Sequence, residues 1–163
     1  MTKTFAALLL LGLMTATSGA EEWKYEGGGT PIAYVDNGGA QFQFACRGGD
    51  LAMGYWVRKP HKQVAAAASM NLAITPDPAK GSTISASAGT SFAQDMPLIH
   101  SDGTSMIVRG PVARQWARIA QQAKSALRIA YVQKRGKHEF FDSNDFDATG
   151  SSAAIKKVLD RCG

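Results

Sequence analysis

Gln41-Phe42-Gln43-Phe44-Ala45-Cys46 decides how the rest of this chain is read. Successive side chains of an extended strand point to opposite faces. The period of two therefore puts Phe42, Phe44 and Cys46 on one side and Gln41 and Gln43 on the other, the signature of a half-buried strand. Arg47-Gly48-Gly49-Asp50 follows with hairpin composition. Leu51, Met53, Tyr55 and Val57 then share a face until Pro60 ends the run. A hairpin with one apolar face must bury that face against something.

Working outward, the flanking segments carry the same period. Trp23 and Tyr25 alternate with Lys24 and Glu26 before Gly27–Gly29 ends a short strand. Ile32, Tyr34 and Asp36 form the next candidate, stopped by Asn37-Gly38-Gly39. Met70, Leu72 and Ile74 alternate with polar or small residues, and Pro76-Asp77-Pro78 with Gly81 reads as a loop. Ile84, Ala86 and Ala88 suggest a weaker strand. The small-residue stretches Ala65–Ser69 and Ser82–Ser91 read as loop or weak strand. Pro97 and Asp102-Gly103 frame a connection, and Met106 to Arg109 reads as a short strand.

The period then changes. Gly110-Pro111 opens a helix, since proline fits the first turn. Val112, Trp116, Ile119, Ala120 and Ala123 recur at helical spacing, with Arg114, Arg118 and the glutamines on other faces. The helix is expected over about 111–125. Leu127, Ile129 and Tyr131 return to strand period, Gly136 makes a turn, and His138–Phe141 with Phe146 complete another strand region. Thr149 or Ser151 caps a final helix over 151–162, whose stripe is Ile155, Val158, Leu159 and Cys162. The expected class is α+β. It comprises an antiparallel sheet or sandwich, mainly in the N-terminal half, with the two helices packed on it.

Residues 1–20 read as a secretory signal peptide. Lys3 supplies the positive charge, Phe5 to Met14 is apolar apart from Gly12, and Ser18-x-Ala20 has the small side chains a signal peptidase accepts. The run is shorter than the roughly 20 residues that span a bilayer. No cysteine follows the cleavage point and no twin arginine precedes the run. The expectation is a single domain at 21–163, periplasmic or secreted after cleavage near Ala20, without a transmembrane anchor. Loss of Lys3 lowers the net charge from +5 to about +4. So mild an excess permits an acidic partner but demands none.

Cys46 and Cys162 are the two cysteines. One follows Phe42 and Phe44 on an inward strand face, and the other ends the apolar stripe of the last helix. In an oxidising compartment they are expected to pair, closing the chain with one disulfide. Two free buried thiols, or an intermolecular or redox role, are the alternatives. No Cys-x-x-Cys is present.

Motifs that would name a reaction are missing. His61, His100 and His138 are scattered in polar, turn-like segments and form no zinc spacing. No serine sits in Gly-x-Ser-x-Gly. Asp142, Asp145 and Asp147 cluster before the last helix. Asp145-x-Asp147-x-Thr149-Gly150 opens like a calcium loop, but Lys156 stands at the twelfth position, where that loop needs a glutamate. The acidic group suits a helix N-terminus instead. No cofactor or metal is expected. Lys134-Arg135-Gly136-Lys137-His138 is a compact basic turn. With Arg114 and Arg118, and with Arg109, Lys124 and Arg128 nearby, it is a candidate anion-binding patch. The alternative is a set of solvated hairpin charges. Arg58-Lys59-Pro60-His61-Lys62 is a second basic turn. No aromatic residue interleaves with the first run, which argues against a specific nucleic-acid partner.

Phe146-Asp147-Ala148-Thr149-Gly150-Ser151-Ser152-Ala153-Ala154-Ile155, followed by Cys162, resembles a C-terminal pattern of small exported proteobacterial periplasmic proteins, including the accessory proteins of type VI secretion. In that pattern a strand phenylalanine leads into a Gly-Ser helix start and a terminal cysteine. The resemblance covers the tail and the upstream cysteine strand. It implies the fold and the Cys46–Cys162 pairing, and no active site. The functional expectation is a non-catalytic binding or accessory protein of the cell envelope. Its partner would be an envelope or secretion-system protein, or an anionic envelope polymer. An inhibitor of a hydrolase such as lysozyme, and an enzyme with a dispersed site, are the alternatives.

Overall fold

The computed structural model describes residues 21–82 and 89–162. The leader read at 1–20 and the weak strand read at Ile84, Ala86 and Ala88 lie outside the described residues. In chain order the elements are β1 (Lys24–Glu26), β2 (Ile32–Asp36), β3 (Ala40–Arg47), β4 (Asp50–Val57), α1 (Lys62–Ala66), β5 (Ser69–Pro76), β6 (Ser91–Ser101), β7 (Gly103–Arg109), α2 (Pro111–Gln122), β8 (Ala126–Arg135), β9 (Lys137–Asp147) and α3 (Ser151–Leu159). Among the described residues the strands form one nine-stranded sheet in the order β1-β2-β3-β4-β7-β6-β5-β8-β9. Every pairing is antiparallel.

Two features differ from the expected architecture. The sheet is not confined to the N-terminal half, because β8 and β9 belong to it. Nor is it a sandwich: one sheet curls into a half-barrel, and its two edges approach each other. The Trp23 amide donates to the Thr149 carbonyl at 3.1 Å, and its indole N–H donates to the Asp147 carbonyl at 3.1 Å. Asn37 donates to the Asn144 side-chain oxygen at 3.1 Å, bridging the β2–β3 turn to β9.

Alternation decides which residues fill the curl. Phe42, Phe44 and Cys46 of β3, Leu51, Met53, Tyr55 and Val57 of β4, and Met70, Leu72 and Ile74 of β5 are all buried inward. β2 turns the other way from the expectation built on Ile32, Tyr34 and Asp36. Ala33 and Val35 are its buried residues, because they pair with the inward Phe44 and Phe42. Pairing register overrides the larger side chains at alternate positions.

The segment read as a connection around Pro97 is strand β6, and it changes partners there. Pro97 opposes Ser69 of β5, while Leu98 opposes Met106 of β7. Proline has no amide to give a ladder, and it sits where the strand leaves one neighbour for the next. β7 begins at Gly103, earlier than Met106. α1 begins in the second basic turn and takes in only Ala65 and Ala66 of the small-residue stretch; it is capped by the His61 ring, whose Nδ1 accepts from the Gln63 amide at 3.3 Å.

α2 and α3 are shorter than expected, ending at Gln122 and Leu159. Ala113, Trp116, Ala117 and Ala120 of α2, and Ala154, Ile155 and Val158 of α3, belong to the same buried cluster as the strands. The Ser151 hydroxyl donates to the Ala120 carbonyl at 2.9 Å, tying the two helices. The αL residue before α3 is Gly150, without a side-chain cap. Cys162 is bonded to Cys46, with their α-carbons 5.5 Å apart and a sequence separation of 116. The bond ties the segment after α3 to β3.

Asp77 ties the end of β5 to the connection between α2 and β8. Its carboxylate accepts from the Lys124 amide at 2.9 Å, the Ser125 amide at 2.7 Å and the Ser125 hydroxyl at 3.0 Å. The Ser125 amide leads these bonds in holding the carboxyl below its usual range.

Both links can be tested by substitution. A Cys46→Ala/Cys162→Ala variant is expected to lose about 4–5 kcal/mol, the loop-entropy value for a crosslink of this span, read from urea unfolding. The unfolded wild type should titrate no free thiol. For Asp77 the folded pKa is depressed, so its contribution is complete above the unfolded carboxylate range and is lost as pH falls through the folded value. Asp77→Asn should destabilise the protein at pH 7 and narrow the stability difference between pH 7 and pH 3.

Candidate functional site

Two concave regions flank β4, one at the open end of the curl and one on its outer face. The open-end cleft, about 400 Å³, is lined by Gly38, Gly39, Val57, Arg58, Lys59, Asp142, Ser143 and Asn144. Its Asp142 and Asn144 belong to a polar cluster that reaches Tyr55. The Tyr55 hydroxyl donates to the Asp142 carbonyl and accepts from the Asn144 amide at 2.7 Å. Burial raises the Tyr55 pKa, so the phenol stays protonated. The ladder slips between Ile129 and Tyr131 opposite this segment, and Asp142 has φ 48. The bulge turns its carboxylate onto the His61 amide, at 3.0 and 2.9 Å.

These groups are occupied by one another. Arg58 makes a bidentate pair with Asp36. Burial raises the Asp36 pKa, but the bonds from Arg58 and the Gly38 amide outweigh it and the net shift is downward. The Asn37 side-chain oxygen accepts from the amides of Gly39 and Ala40, at 3.0 and 2.8 Å. The arrangement locks the open end and leaves Lys59 and Ser143 without a hydrogen-bond partner among the described residues.

The outer groove, about 360 Å³, lies across β3, β4, β7 and the β6–β7 turn, with Gln41, Gln43, Trp56, Ser101, Asp102, Ser105 and Ile107 on its walls. Register builds it. Gln41 opposes Trp56 and Gln43 opposes Gly54; Trp56 opposes Ser105 and Gly54 opposes Ile107. With no side chain at Gly54, the second row dips between Gln43 and Ile107. Trp56 is fixed on two sides. Its indole N–H donates to the Asp102 carbonyl at 2.7 Å, and the Arg58 guanidinium lies 4.5 Å from its ring centroid.

Gly103 permits this turn. It has φ +109, and a β-carbon there would stand 2.2 Å from the Val57 carbonyl oxygen and 2.9 Å from the Trp56 indole nitrogen. Gln41 and Gln43 were legible as the outward face of a strand. That they form a groove was not, because its other wall arrives from β7.

The expected anion patch divides. Lys134, Arg135 and Lys137 are exposed at the β8–β9 turn. Arg114 and Arg118 are on α2, which ends just before β8 begins. β8 is ten residues long, or roughly 30 Å at strand rise, so the two groups flank opposite ends of it. Arg114 donates to the Cys162 carbonyl at 2.9 Å. Phe92 stacks on His138 with centroids 5.0 Å apart, so the basic turn gains an aromatic neighbour from β6.

The acidic cluster also separates. Asp142 holds the His61 amide, Asp145 pairs with Arg128 at 2.6 Å, and Asp147 accepts from the Thr149 amide at 2.6 Å. α3 has no acidic residue in its first turn. His61 stacks on Phe141, and the His100 ring bonds the Thr104 hydroxyl at 2.9 Å and the Ala67 carbonyl at 2.8 Å. Among the described residues no three His, Cys, Asp or Glu side chains converge as metal ligands.

The groove geometry rests on Gly103, and substitution there tests it. Gly103→Ala is expected to cost at least about 2 kcal/mol, from backbone strain and the carbonyl clash. Gly38→Ala, also at positive φ (85°) but with open space around it, should cost about 1 kcal/mol. Equal midpoints for the two variants in chemical denaturation would remove the close-approach account.

Compared with known proteins, the chain matches no family model, no curated protein and no solved structure.

Proposed function

We propose that this is an exported binding or accessory protein of the bacterial cell envelope, acting through its surface rather than by catalysis. The observation that carries the reading is the outer groove. Its walls are held by main-chain pairing and by the anchored Trp56 ring, yet several of its polar side chains have no partner among the described residues. Rigid walls with unpaired polar groups are what a binding surface requires. The open-end cleft contrasts with it, because Arg58, Asp142 and Asn144 are already bonded, to Asp36, to His61 and to Tyr55, which leaves only Lys59 and Ser143 of its polar lining unpaired among the described residues.

The leader read at residues 1–20 supports this compartment, and the disulfide, which persists in oxidising surroundings, is compatible with it. Among the described residues no helix is long and apolar enough to cross a membrane. In this reading the leader is removed near Ala20 and the protein works in the periplasm or beyond it. The resemblance of the tail from Phe146 to Cys162 to periplasmic accessory proteins supports the same placement. An envelope or secretion-system protein, or an envelope polymer, is the partner class.

Co-sedimentation tests this. The purified protein, lacking residues 1–20, is expected to pellet with washed bacterial envelopes and to remain in the supernatant without them. Recovery in the supernatant at every envelope concentration would overturn the reading. Dose-dependent loss of lysozyme activity at micromolar protein would replace it with hydrolase inhibition.

A further inference from the structure

The polar content of the outer groove specifies a class of ligand, provided that the proposed binding function holds. Gln41 donates to the Gln43 side-chain oxygen at 2.8 Å. That bond leaves the Gln41 oxygen and the Gln43 amide hydrogens free to face solvent. The Ser105 hydroxyl and the Asp102 carboxylate, on the same walls, also have no partner among the described residues. The walls therefore present both free donors and free acceptors in one groove with an aromatic ring.

Charge narrows the class further. Arg58, the cation at the Trp56 ring, is neutralised by Asp36, and Asp102 adds a negative charge to the wall. An anionic ligand would meet no free cation among the groove-lining residues. The basic side chains of Lys134, Arg135 and Lys137 lie away at the β8–β9 turn.

Main-chain recognition is closed as well. β3, β4 and β7 each have strand neighbours on both sides, so a peptide cannot add as a further strand here. The ligand must be read by side chains alone. It must offer an apolar face to Trp56 and Ile107, and hydroxyls to the amides, the serine and the carboxylate. Ile107, on the wall, is 39% exposed, and Ile99, 47% exposed and paired with Ser105, extends the apolar surface beyond the groove. Pyranose rings have this two-sided character: C–H groups on the flat face and hydroxyls around the rim.

We infer that the groove over Gly54 binds a neutral saccharide, stacked against Trp56 and hydrogen-bonded by Gln41, Gln43, Ser105 and Asp102. Gly54 is the residue that opens it. A β-carbon there would lie 3.2 Å from Gln43 Cγ and 3.3 Å from its Nε2, so any larger side chain fills the floor and displaces the glutamine.

The tryptophans provide the readout. Trp23 is 5% exposed and Trp116 fully buried, so iodide-accessible emission comes from Trp56. The probes are cellotetraose, chitotetraose and maltotetraose, with heparin as the anionic comparison. At least one neutral tetrasaccharide should protect the emission from iodide in a saturable way. Gly54→Val should weaken that binding at least tenfold with an unchanged circular-dichroism spectrum. Gln43→Ala, which leaves the floor open, should weaken it severalfold and carries the test if the valine variant does not fold.

No protection by any neutral probe at millimolar concentration would overturn the proposal. So would full affinity in both variants, or protection by heparin alone. The two readings fail separately. Undiminished pelleting of Gly54→Val and Gln43→Ala with envelopes would remove the groove and leave the binding function standing. Absence of pelleting by the wild type would remove the function itself.

Discussion

Two tyrosines facing each other across the interior set the shape of this sheet. Tyr55 on β4 and Tyr131 on β8 have ring centroids 5.1 Å apart, although β7, β6 and β5 separate their strands in the sheet. The Tyr131 hydroxyl donates to the Thr104 carbonyl at 2.9 Å, on the far wall. The Tyr55 hydroxyl reaches the Asp142 carbonyl on β9. A buried hydroxyl without a partner costs roughly 1–3 kcal/mol, so each tyrosine holds its opposite wall at hydrogen-bonding distance. A flatter sheet would break both contacts. Burial raises the Tyr131 pKa, with the neighbouring Tyr55 and Asp142 adding to it, and keeps it a donor throughout the neutral range.

The two ends of the curl follow from this brace in different ways. At one end α2, α3 and the disulfide close the interior with apolar stripes. At the other, the β9 bulge that brings Asp142 to Tyr55 also aims its carboxylate at His61, and Asn144 ties in the β2–β3 turn through Asn37. That end is closed by polar bonds. Its cleft is therefore satisfied apart from Lys59 and Ser143, whereas Ser101, Asp102 and Ser105 line the convex face of β3, β4 and β7 with no side-chain partner among the described residues.

Much of this fold was legible because it is local. Phe42-x-Phe44-x-Cys46 and Leu51-x-Met53-x-Tyr55-x-Val57 needed only alternation and a turn, and both bury the residues read as inward. The cysteines were legible through their faces. What escaped was non-local. β6 breaks alternation at Pro97, where it changes partners, and at Asp95, where φ is 50. β2 takes its facing from β3 rather than from its own largest residues. The basic residues of α2 and of the β8–β9 turn look close in sequence, but the full length of β8 divides them. Gln41 and Gln43 were recognisable as an outer face, whereas the groove needs Ile107, Ser105 and Asp102 from strands that arrive some sixty residues later.

The bonds from Trp23 to Asp147 and Thr149 have a kinetic consequence. Donor and acceptor of the indole bond are separated by 124 positions, and the disulfide by 116. Non-local contacts of this kind slow folding, because their closure entropy precedes their reward. Until the last strand and helix have emerged, the N-terminal strands lack the partners that cover them, and exposed strand edges invite association with other chains. Closure of the fold therefore waits for α3 and Cys162, long after β1 and β3 have emerged.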